Sequence, residues 1–134
     1  MRNLIGFGIL TVSLLFAAPG CGKNSVSAES VCKALETEGI ATQGSCKKDE
    51  PKMVSAKAKT KYSFDLASVE GETGQVLDFA DESSFDATVA VFDEMAMLAG
   101  PHRYGSAKAM IFVQFNSGAS AEIGNKAKAV VDGL

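Results

Sequence analysis

The clearest pattern in the chain is an alternation of apolar and polar positions between Ala56 and Leu66. Ala56, Ala58, Thr60, Tyr62, Phe64 and Leu66 fall on one side, and Lys57, Lys59, Lys61, Ser63 and Asp65 on the other. A period of two is that of a strand with one buried face and one wet face. A turn built on Gly71 and Gly74 leads to a second run over 75–80 with Leu77 and Phe79 inward, so the two runs predict a hairpin. Before them, Ala28, Val31, Cys32 and Leu35 recur at three- and four-residue spacing. Ser27 is placed to cap that helix, Glu29 in its first turn suits the helix dipole, and Gly39 ends it. Residues 40–46 then read as a short strand or extended return.

After the hairpin, Asp81, Glu82 and Ser83 open a helix whose apolar stripe is Phe85, Val89, Phe92 and Ala96, stopped by Gly100-Pro101. The run 107–115, with its unbroken Ala-Met-Ile-Phe-Val, predicts a strand covered on both faces. A last helix starts at Ser117 or Ser120 and carries Ile123, Ala127, Val130 and Leu134. The order is α-β-β-β-α-β-α. It predicts an α+β fold with a mixed four-stranded sheet packed against helices. The strand-helix-strand portion from 75 to 115 is expected to form a right-handed parallel crossover.

The first twenty residues differ in kind. Arg2 gives the start a positive charge, Leu4 to Phe16 form an uncharged apolar run, and Ala17, Ala18, Pro19 and Gly20 lead to Cys21. Charged start, short apolar stretch and small-residue exit make a secretory signal. Thirteen apolar residues reach about 20 Å as a helix, short of a ~30 Å hydrocarbon core, so a permanent span is not expected. Ala18 and Gly20 would suit the ordinary signal peptidase. The segment Ala18-Pro19-Gly20-Cys21 also resembles the bacterial lipobox, with Gly20 directly before the cysteine, although Ala18 and Pro19 stand where Leu and Ala or Ser are usual. That resemblance implies cleavage before Cys21 and diacylglycerol on its thiol. Because Gly22, not Asp, follows the cysteine, it also implies the outer membrane where the organism has one.

Cysteine parity bears on the choice between the two peptidases. The chain has three cysteines, an odd number for an oxidising compartment. With Cys21 lipidated, Cys32 and Cys46 are left to pair, and such a bridge stabilises by about 3 kcal/mol. The expected organisation is a signal over 1–20, a tether over 21–27 and a single α+β domain over 28–134. A tether of some six residues reaches roughly 20 Å, which keeps the domain near the lipid surface.

Composition narrows the function. The apolar fraction of 46% and charged fraction of 22% are those of a globular domain. A formal charge of −3 argues against general nucleic-acid binding, which needs a basic face. Charge is also uneven: Lys47, Lys48, Lys52, Lys57, Lys59 and Lys61 stand against Asp49 and Glu50, six minus two or +4, over 47–61. The stretch 62–102 holds nine acids and no Lys or Arg. Cross-strand pairing and solvated faces explain this layout. The functional alternative sets the lysines on anionic headgroups and the acids toward a basic partner.

The most distinctive polar segment is Gly100-Pro101-His102-Arg103-Tyr104-Gly105, which contains the single histidine. His102, Arg103 and Tyr104 together suit an anionic group on a loop. Equally, Gly and Pro shape a turn over which Tyr104 and the Arg103 stem pack. Without a second histidine or a base-nucleophile pair, hydrolytic catalysis lacks parts. Met95 and Met97 are soft ligands for Cu(I), but residues two apart on a helix point about 200° from each other. Asp78, Asp81, Glu82 and Asp86 are hard-oxygen candidates for calcium, yet they lack the ligand loop and are favoured at a helix start anyway. The function expected is thus a membrane-anchored, non-enzymatic envelope lipoprotein that uses no cofactor and binds a protein or anionic component. The alternative is a small-ligand or metal carrier of the periplasm.

Overall fold

The computed structural model describes residues 26–134. The expectations for the signal, the lipobox and Cys21 fall outside the described residues. Helix α1 (Ala28–Thr37) begins with Ser27, whose hydroxyl accepts from the Ser30 N–H while the Ser30 side chain reaches back to the cap backbone. This reciprocal cap satisfies amide donors that the first turn leaves open. A second device comes from across the fold. The Asp78 carboxylate accepts the Ala28 N–H at 2.8 Å and the Thr60 N–H at 2.9 Å, and it lies buried where anions favour a helix start.

The sheet has five strands, not four: β1 (Lys47–Asp49), β2 (Thr60–Asp65), β3 (Thr73–Asp78), β4 (His102–Ser106) and β5 (Ile111–Phe115). Their order is β1-β2-β3-β5-β4, and every neighbouring pair is antiparallel. The mixed sheet and the parallel crossover are therefore corrected. Helix α2 (Glu82–Glu94) does leave from β3, but the chain passes through β4 before β5. The extra reversal brings β5 back antiparallel to β3 and leaves β4 parallel to β3 with β5 between them.

Other boundaries shift for local reasons. Residues 40–46 form no strand: Ile40 and Ala41 are buried, Ala41 makes one bridge to Leu66, and a turn through Gly44 at φ +75° follows. Strand β2 starts at Thr60 because Met53–Ser55 wind into a 3-10 turn and the Ala58 N–H donates to Ser55 O. The helix expected through Ala96 breaks at Met95, giving α2 and a four-residue α3 (Ala96–Ala99). Helix α4 (Ala121–Asp132) takes the later of its two candidate caps, Ser120.

Two cores sandwich the sheet. On one face α1 and α4 cover Phe64, Val76, Ile111, Val113 and Phe115, all closed from water. On the other, α2 sets Phe85 and Phe92 over Leu77 and Phe112. Gly74 is required within β3, because a Cβ there would sit 2.3 Å from the Phe64 ring. Cys32 and Cys46 form the expected disulfide, with Cα atoms 6.0 Å apart. It staples α1 to the segment entering β1, and the Glu36 carboxylate adds a bond from the Cys46 N–H at 3.1 Å.

Candidate functional site

The residues His102, Arg103 and Tyr104 belong to a strand, so alternate side chains leave on opposite faces. His102 and Tyr104 point under α4. The imidazole is 5% exposed and stacks on Phe115 with ring centroids 4.6 Å apart. Its Nε2 lies 2.8 Å from the Ala119 carbonyl and its Nδ1 3.0 Å from the Tyr104 hydroxyl. A carbonyl can only accept, so the proton sits on Nε2 and Nδ1 accepts from Tyr104. Both nitrogens are thus occupied by core partners. Gly124 lets α4 approach: a Cβ there would meet Tyr104 Oη at 2.5 Å and His102 Nδ1 at 2.6 Å. Burial pushes the Tyr104 phenol above its ordinary value, with Lys128 opposing.

Arg103 does something different on the other face. Its Nε donates to the Gly100 carbonyl at 2.9 Å and its Nη1 to the Phe92 carbonyl at 3.3 Å, while Nη1 also pairs with Asp93. A guanidinium at a helix C-terminus satisfies carbonyls that the last turn leaves open and suits the dipole. It clamps the end of α2 and holds α3 in place. The Gln114 amide adds a bond to the Ala99 carbonyl at 2.8 Å, and Gln75 donates to Gln114 at 2.8 Å.

The cross-strand register explains why this region stays wet. Lys47, Ser63, Gln75, Gln114 and Arg103 stand opposite one another in a row across all five strands. The next row, Asp49, Lys61, Leu77, Phe112 and Gly105, turns apolar at its centre and lies under α2. Beside the polar row runs an open groove of about 190 Å³ whose walls include Lys61, Ser63, Thr73, Gln75 and Gln114. Leu98 stands on its rim, 84% exposed, next to Met97, which is fully exposed at 100%. Large apolar side chains held out in water beside a polar groove mark contact surfaces more often than scattered ones do.

The groove lining contains no histidine, and its Ser63 hydroxyl donates to the Asp49 carboxylate at 3.2 Å. Its one lysine, Lys61, pairs with Asp49 at 3.4 Å. That ion pair and the Glu50 N–H hold the Asp49 carboxyl below its ordinary value, the backbone bond being the larger cause. Two of the four acids considered for calcium have structural duties. Asp78 caps α1, and Asp81 caps α2 by accepting the Ser84 N–H at 2.8 Å. Among the described residues no three His, Cys, Asp or Glu side chains come together as a metal site. Met95 and Met97 straddle the break between α2 and α3.

The sequence pattern did not single out Leu98, Gln75 or Gln114. The available signal was a polar Gln on the inward side of the 75–80 run and another inside the apolar 107–115 run. Neither a protein-family model, nor a curated protein, nor a solved structure matches the chain.

Proposed function

We propose that this chain is a lipid-anchored, non-enzymatic lipoprotein of the bacterial envelope that docks a protein partner through α3 and the open polar face of the sheet. The observation that carries the docking surface is the display of Met97 and Leu98 on a short helix clamped from beneath by Arg103. An apolar pair gives affinity, and the adjacent row of Ser63, Gln75 and Gln114 gives directional hydrogen bonds around it. Glu94 is exposed beside α3, whereas Asp93 is paired with Arg103, so the partner offers a cationic group beside an apolar pocket. Two arguments support the anchor: the shape of the signal before Cys21, and the disulfide between the other two cysteines.

Two variants test the reading. Cys21→Ser is expected to move the protein from the membrane to the soluble fraction; unchanged membrane retention would remove the anchor. Leu98→Asp is expected to abolish in-cell crosslinking to the partner with folding intact. Undiminished crosslinking would move the docking surface elsewhere.

A further inference from the structure

We infer that the groove between the Met53–Ser55 turn and α2 seats an acyl chain of an anionic membrane phospholipid. The inference rests on the reading that the chain is anchored at Cys21. Three placements support it.

The groove shares one end of the sheet with the start of the domain. Ala28 is bound to Asp78 at that end, the Lys59 N–H donates to the Asp78 carbonyl at 2.8 Å, and α2 sets out from the same end just after β3. An extended stretch from Cys21 to Val26 reaches no more than roughly 20 Å. A lipid on Cys21 therefore keeps this end of the sheet within roughly 20 Å of the bilayer, and the groove is lined by Ala87 to Val91 in the middle of α2.

The groove is also built for a chain with a polar head. It is an open groove of about 380 Å³ lined by Met53, Val54, Ala56, Ala87 and Val91, mostly apolar side chains. Thr88 lies on the same wall, 1% exposed, and its hydroxyl is a buried side-chain oxygen without a hydrogen-bond partner among the described residues. Rotation of that side chain toward the groove would let an ester carbonyl accept its proton. Lys57 stands on the groove and Lys52 precedes it, both exposed. Lys52 is engaged with Glu50 at 3.6 Å, and such a solvated pair yields readily to a headgroup phosphate.

Met53 is the third placement. It is 91% exposed and held at φ +53°, a conformation that L-residues adopt rarely and that persists where surroundings impose it. Its apolar side chain extends the apolar lining of the groove outward, where it can meet lipid.

The test uses the protein purified from membranes and reconstituted in vesicles of phosphatidylethanolamine and phosphatidylglycerol, the latter carrying a photoactivatable group within its acyl chain. After irradiation, lipid adducts are expected on the peptides bearing Val54 to Lys57 and Ala87 to Val91. Ala87→Phe, which fills the groove, is expected to lose most of that adduct while vesicle sedimentation persists and, in cells, Leu98-dependent crosslinking persists. Lys57→Glu, an exposed change that leaves the fold alone, is expected to lower the yield in these vesicles and leave it unchanged in neutral phosphatidylcholine. Adducts absent from both walls, unchanged in Ala87→Phe, or replaced by crosslinks between two protein chains would overturn the inference. Cys21→Ser combined with Ala87→Phe that still sediments with vesicles would instead overturn the anchor, which the adduct map does not read.

Discussion

Beneath α1 and α4, the rings of Phe64 and Phe115 meet edge to face with centroids 6.4 Å apart, and both ring nitrogens of the buried His102 have partners. Across the same strands, the residues one position along are Ser63, Gln75 and Gln114, and above them stands a helix that keeps Leu98 in water. The difference is one of cover. Two helices totalling twenty-two residues close the first face, the ten of α1 and the twelve of α4. The second face has α2 over its apolar half and only the four residues of α3 at the edge of the polar half. A sheet sealed on one side supplies rigidity to the other, where side chains are available for contact.

The largest effect that separates the faces is expected from Phe115→Ala. It should cost about 3–5 kcal/mol in denaturant unfolding, whereas Gln114→Ala, one residue along and on the open face, should cost about 1 kcal/mol. Equal losses would mean that the open face is a core in its own right. Next comes the disulfide: Cys32→Ala with Cys46→Ala removes a bridge across fourteen residues, and a loss of about 3 kcal/mol is expected by thermal or denaturant unfolding. Gly124→Ala follows, at about 1–3 kcal/mol, because the added methyl has to displace the Tyr104 and His102 side chains. Adding Tyr104→Phe should recover part of that loss, and no recovery would show that the α4 approach is limited by something else.

How much of this was legible in the sequence depends on what each strand had to cover. Strand β2 announced itself because Tyr62 and Phe64 alternate with Lys61 and Ser63. Strand β4 did not, because its buried-face residues are His102 and Tyr104, its open-face residue is a clamping Arg103, and Gly100-Pro101 and Gly105 frame it like a turn. Strand β1 is three exposed charged residues at the sheet edge, which is good protection against unwanted pairing and poor advertisement of a strand. Missing β4 also turned an antiparallel neighbour into a parallel one, since direction depends on the number of reversals. The site was hidden for a related reason. Arg103 looked like an anion binder because nothing local shows that the carbonyls of Phe92 and Gly100 would close around it.

Smaller effects sharpen the comparison further. The Ser84 N–H holds the Asp81 carboxyl below its ordinary value of 3.8, so the cap is stabilising above that pH and lost as pH falls through the lowered value. A fall in melting temperature below the ordinary value is expected, and Asp81→Asn, which keeps a capping oxygen but does not titrate, should make it shallower. A slope unchanged by that substitution would assign acid sensitivity to other carboxylates. The smallest effect on stability belongs to the residue with the largest proposed role. Leu98→Asp should change unfolding free energy by less than about 0.5 kcal/mol, as for an exposed side chain without partners in the fold.

Site-specific photocrosslinking in cells compares the two faces directly. A photoreactive side chain at position 98 or 63, on the open face, should yield the same discrete crosslinked partner, and one at the exposed position 126 on α4 should yield none. A partner captured from 126 but from neither 98 nor 63 would contradict the account, because the sealed side would then be the one that binds.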